Sequence, residues 1–68
     1  MMNMTIATVK SLLNSGSKKK TIDPRDFELY QDVLRNYEAI GPDRFSSVDQ
    51  DSAARLKEKL NQVTSKDY

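Results

Sequence analysis

Residues 21–42 read "TIDPRDFELYQDVLRNYEAIGP", and the start, the buried face and the end of one helix are all written in them. Asp23 is a natural N-cap whose carboxylate can accept from an orphan backbone N–H, Pro24 suits the first helical position, and Asp26 puts negative charge in the first turn. Ile22 and Phe27 stand at the N′ and N4 positions of a hydrophobic staple. At the far end Gly41 supplies a C′ residue free to adopt a left-handed backbone, and Pro42 prevents continuation. These signals predict a helix over residues 24–40.

At about 100° per residue, Phe27, Leu29, Tyr30, Val33, Leu34, Tyr37 and Ile40 fall within one arc of about 160°, with the polar residues and Ala39 on the remainder. That arc is wider than a two-stranded coiled-coil seam, so the helix must touch two neighbours.

Both neighbours are present in the chain. Downstream, Ser47 can cap a helix with Gln50 at its N3 position, and Val48, Ala53, Leu56, Leu60 and Val63 line one side of it. This predicts a helix over 48–64 and a frayed tail over 65–68. Upstream, Ile6, Val9, Leu12 and Leu13 form a stripe on a shorter helix over 5–14, with "NSG" at 14–16 as its stop and a basic loop over 15–23. The β-branched residues of that segment also suit a strand, but no other segment alternates apolar and polar residues to pair with it. The expected fold is all-α, a small three-helix bundle forming a single domain over 1–68.

Composition limits the chemistry. A chain of 68 residues buries only about 60% of the surface its unfolded form exposes, so self-association or a partner can be part of its native state. The chain has no cysteine and no histidine, which removes disulfides, thiolate nucleophiles, the commonest general base and the commonest transition-metal ligand. No serine has a histidine to activate it, and the reading is of a non-enzyme with no catalytic, metal or cofactor site.

The start, "MMNMTIATVK", lacks a basic n-region and a long apolar h-region, and no apolar run approaches the length of a membrane span. Cytoplasmic residence without membrane association is the expectation, or a viral particle or host cytoplasm if the chain is of viral origin.

The net charge of +1 conceals a division. Residues 1–20 carry Lys10, Lys18, Lys19 and Lys20 and no acid, whereas in residues 21–51 three arginines face eight carboxylates, a local net of −5. "GSKKKT" at 16–21 resembles the end of a phosphate-binding loop, but the position five residues before Gly16 is Ser11 where that loop needs glycine. Asp49 and Asp51 suggest a calcium loop, yet its sixth and twelfth positions are Ala54 and Leu60. A helix-turn-helix reader is disfavoured because its reading helix would present Asp49 and Asp51 to a polyanion.

Two groups of candidate residues remain. Tyr30, Tyr37 and Phe45 can anchor a protein partner or fill the bundle core, and a domain this small needs its large side chains inside. Lys10, Lys18, Lys19, Lys20 and Arg25 can contact the phosphates of a nucleic acid or form a solvated, mobile loop with its surroundings. The leading expectation is an accessory protein, adaptor or inhibitor that binds a larger protein through an apolar helix face. The alternatives are a nucleic-acid-associated accessory protein and a structural subunit completed by copies of itself or by a larger assembly.

Overall fold

The computed structural model describes residues 4–66, with side chains through Val63. The order is α1 (Ile6–Lys18), α2 (Pro24–Ile40), a single 3-10 turn (Pro42–Arg44) and α3 (Ser47–Lys66). Among the described residues there is no strand. The three helices form the expected three-helix bundle. Met4 lies beside Asn36 of α2 and Lys19 beside Asp26, so α1 and α2 are antiparallel. Asn14 meets Asp49 and Ser17 meets Lys59, so α1 and α3 run parallel.

The core contains Val9 and Leu13 of α1, Ile22 of the first turn, Tyr30, Val33 and Tyr37 of α2, Phe45 of the second connection, and Ala53, Leu56 and Leu60 of α3. Phe27, Leu34, Ile40, Leu12 and Val63 pack against it half-buried. Removing this apolar surface from water is the main stabilising term, at about 25 cal/mol per Å².

α2 spans the expected residues. Ile22 is buried and Phe27 packs on the core, as a staple requires. The Asp23 carboxylate makes no capping bond, contrary to expectation; the Asp23 carbonyl instead accepts from the N–H groups of Asp26 and Phe27, while the buried Ile22 and the fixed φ of Pro24 set the helix start. Gly41 ends the helix at φ 109°, a backbone that side-chain-bearing residues rarely adopt, and its N–H reaches the Tyr37 carbonyl.

α1 runs four residues beyond its expected end and passes through Gly16. A Cβ built on Gly16 would stand 2.7 Å from Tyr30 Cε1 and 3.0 Å from Leu56 Cδ1. The glycine is therefore a packing surface for its two neighbours and not a stop. Burying Tyr30 and Leu56 against bare backbone offsets the roughly 1 kcal/mol that glycine costs inside a helix. The basic loop is accordingly shorter than 15–23, because residues 15–18 are helical.

α3 is capped one residue earlier than expected. Ser46 Oγ accepts from the Asp49 N–H and donates to Asp49 Oδ2, while the Gln50 N–H bonds to the Ser46 carbonyl. The capping pair is Ser46 with Asp49, chosen over Ser47 with Gln50 because Asp49 is buried and needs the partner. Gln50 is used elsewhere: its Nε2 donates to the carbonyls of Pro42 and Phe45 and ties down the 3-10 turn. Val48, expected on the buried stripe, is 66% exposed, since it lies about a quarter turn from the face through Asp49, Leu56 and Leu60. Ser65 and Lys66 are helical where a frayed tail was expected, and residues 67–68 lie outside the described residues.

Candidate interaction surfaces

The aromatic candidates lie inside. Tyr30 is 3% exposed, and Tyr37 and Phe45 are buried with ring centroids 4.9 Å apart and planes tilted by 48°. They are not exposed as surface anchors; the small domain uses them as core, where such a pair adds about 0.5–1.5 kcal/mol beyond its area. Burial, reinforced by Glu38 and Asp49, holds the Tyr37 phenol above its ordinary pKa and so neutral.

The lysine candidates separate into different roles. Lys19 Nζ lies 3.1 Å from Asp26 Oδ2 and 5.3 Å from the Tyr30 ring centroid, an ion pair combined with a cation–π contact. The Asp26 hydrogen bond, followed by Tyr30, raises the Lys19 pKa. Lys18 and Lys20 are exposed on either side of Lys19. Arg25 is exposed in the first turn of α2. Lys10 is placed apart from these, on α1 and 4.0 Å from Asp49.

A further lysine, absent from the sequence-based candidates, joins this end of the molecule. Lys59 of α3 extends to the end of α1, where its ammonium donates to the carbonyls of Ser17 and Lys19. These are helix-terminal carbonyls that no backbone N–H of the helix can reach, and a cation is the favoured partner for them. Nothing local in the sequence marks this contact, because its partners are 42 and 40 residues away.

Between α1 and α3 the core is polar at one level. Asp49 is 6% exposed and accepts from Asn14 Nδ2 at 3.1 Å and from the Ser46 hydroxyl at 3.0 Å, while buried Ser52 donates to Asn14 Oδ1 at 3.0 Å. Desolvation pushes the Asp49 carboxyl up, but the Ser46 hydroxyl, the Asn14 amide, the Ser46 backbone and the Lys10 charge together outweigh it and hold the pKa below the usual carboxylate value. Asp49 and Ser52 continue the helical spacing of Ala53, Leu56 and Leu60, so the period was visible in the sequence and only the polar identity disguised it. No buried side-chain polar atom among the described residues lacks a partner.

On the opposite flank, α2 and α3 approach each other less closely than either approaches α1. They leave an open groove of about 280 Å³ lined by Gln31, Leu34, Arg35 and Glu38 of α2 and Lys57, Leu60 and Asn61 of α3. Half-buried Leu34 and buried Leu60 are its apolar lining, and the polar residues around them carry both signs of charge. Arg35 is tied loosely to Asp32 at 3.5 Å, a surface pair that contributes little. Sequence reasoning missed this groove because its polar lining comes from the polar sides of two helices.

Among the described residues no three metal-ligating side chains converge, and no helix is long and apolar enough to cross a membrane. No protein-family model, curated protein or solved structure matches the chain.

Proposed function

We propose that the protein is a non-enzymatic binding module that takes a helical segment of a larger protein into the groove between α2 and α3. The observation that carries this reading is the groove itself, where Leu34 and Leu60 lie among polar residues that include Arg35 and Lys57. Its occupant is an amphipathic helix with an apolar side chain over Leu34 and a carboxylate beside Lys57, the common arrangement for helix-in-groove recognition. Most of the apolar faces first expected to bind are spent on the core, and this seam is one place where partly exposed apolar surface and charge meet. Tyr30, Tyr37 and Phe45 are buried, which leaves the partner contact to other residues.

The test is affinity capture from the native source after nuclease treatment, comparing the wild type with an Arg35→Glu, Lys57→Glu double variant whose helix content is verified by circular dichroism. A protein retained by the wild type and lost by the variant supports the reading. Equal retention by both, or retention of no protein, overturns it.

A further inference from the structure

The turn after α1 holds three consecutive lysines, and the structure gives it a set of fastenings that a solvated linker does not need. Ile22 is buried, Lys19 is held between Asp26 and the face of Tyr30, and the Lys59 ammonium is bonded to the carbonyls of Ser17 and Lys19. Only residues 19–23 separate the two helices. The turn is therefore braced from both neighbouring helices. Lys18 and Lys20 remain exposed beside it with no ion pair among the described residues, as do Arg25 and Arg55. Arg55 stands one turn before Lys59 on α3, on the flank towards α1.

We infer that this turn is a preorganised contact for the phosphate backbone of duplex nucleic acid. Lys18 and Lys20 are the groups that meet phosphate, Arg25 and Arg55 extend the positive field, and Lys19 and Lys59 are positioning residues that hold the turn in shape. Bracing matters because a fixed turn loses less conformational entropy on binding than a mobile one.

Two observations select this partner. The exposed residues around the lysines, Ser15, Thr21 and Asp23, are polar and Pro24 is an isolated exposed apolar residue, so the dry apolar centre of a protein–protein interface is missing here. Tyr30, Tyr37 and Phe45 are buried and Phe27 is half-buried against the core, so no fully exposed ring stands beside the lysines among the described residues to stack the bases of a single strand. Contacts to phosphate carry no sequence information, so the inferred contact is electrostatic and independent of sequence. Asp23 and Asp26 at the start of α2 restrict the footprint to a few phosphates, giving weak binding with a shallow salt dependence. The surface is separate from the groove: Lys57 lines the groove, whereas Lys59, two residues on, turns to α1.

The experiment is fluorescence anisotropy of a labelled DNA duplex of mixed sequence, titrated with the intact protein across a series of salt concentrations. Wild-type binding is expected to fall steadily with salt. Lys18→Gln with Lys20→Gln should weaken it by roughly tenfold or more and reduce the log–log salt slope by about 2, one for each phosphate no longer neutralised. Lys19→Gln should lower affinity while leaving the slope unchanged, because it loosens the turn and spares both phosphate-facing lysines, and Lys19→Arg should restore it. Arg44→Gln, in the connection at the opposite end of the bundle, should bind as the wild type does. The inference is overturned if the wild type shows no salt-dependent binding, or if the double variant binds equally well. It is also overturned if Lys19→Gln lowers the slope as the phosphate-facing substitutions do, or if polyglutamate displaces the duplex as readily as unlabelled DNA.

Discussion

Gly16 and Tyr30 are in contact so close that the glycine has no room for a side chain: its Cβ would stand 2.7 Å from Tyr30 Cε1 and 3.0 Å from Tyr30 Cδ1. Tyr30 cannot retreat, since it is buried and also lies beneath the Lys19 ammonium. Gly16→Ala is therefore expected to destabilise the protein by about 1–3 kcal/mol through overpacking, even though alanine is the better helix former. Urea unfolding followed by circular dichroism measures this. A stabilised variant would mean that Gly16 only interrupts the helix.

The helical reading succeeded where independent signals agreed. In α2 a proline, a glycine, a staple and a clean apolar arc all pointed to the same boundaries. It failed where the deciding partner was distant. Asn14-Ser15-Gly16 has the composition of a helix end, and only Tyr30 and Leu56, packed on the bare backbone, make it helix interior. The tandem serines Ser46 and Ser47 each stand three residues before an acceptor, and burial of Asp49 decides between them. Of the candidate sites, the lysine turn was legible as excess charge. Its bracing by Lys59 and the groove between α2 and α3 were not, because both depend on how helices far apart in sequence are placed.

The Asn14, Asp49 and Ser52 node sets the level of α1 against α3. Asp49→Ala leaves Asn14 and Ser46 without their buried acceptor, and a destabilisation of about 1–3 kcal/mol is expected. Differential scanning calorimetry of Asp49→Ala beside Asp51→Ala, whose carboxylate is exposed, isolates the effect. Equal melting temperatures would mean that the node contributes nothing to stability.

The same carboxylate carries a pH dependence. Its folded pKa is depressed, so its contribution to stability is present above the unfolded value of about 3.9 and is lost as pH falls through the folded value. Tyr37 acts at the other extreme: its folded pKa is raised, so stability is present below the unfolded value of about 10 and is lost as pH rises beyond it. Chemical denaturation at stepped pH should show both declines, with Asp49→Asn flattening the acid limb and Tyr37→Phe the alkaline one.

Phe45 packs on Tyr37 at the end of the bundle. Phe45→Ala should cost about 3–5 kcal/mol, against a total of about 3–10 kcal/mol for a domain of this size. The expected result is a largely unfolded or loosely packed chain at room temperature, seen as collapse of amide chemical-shift dispersion. Retention of a well-dispersed spectrum would mean that Phe45 contributes little to holding the bundle together.

The bundle closes on its aromatics, and the proposed binding surface is the seam between α2 and α3. Amide chemical-shift mapping of the isotopically labelled protein, titrated with the partner recovered by affinity capture, tests that assignment most directly. Shifts concentrated at Gln31, Leu34, Arg35, Glu38, Lys57, Leu60 and Asn61, with the amides of α1 undisturbed, are the expected result. Shifts centred on α1, or spread through the core residues Tyr30, Tyr37 and Phe45 as the bundle opens, would contradict it.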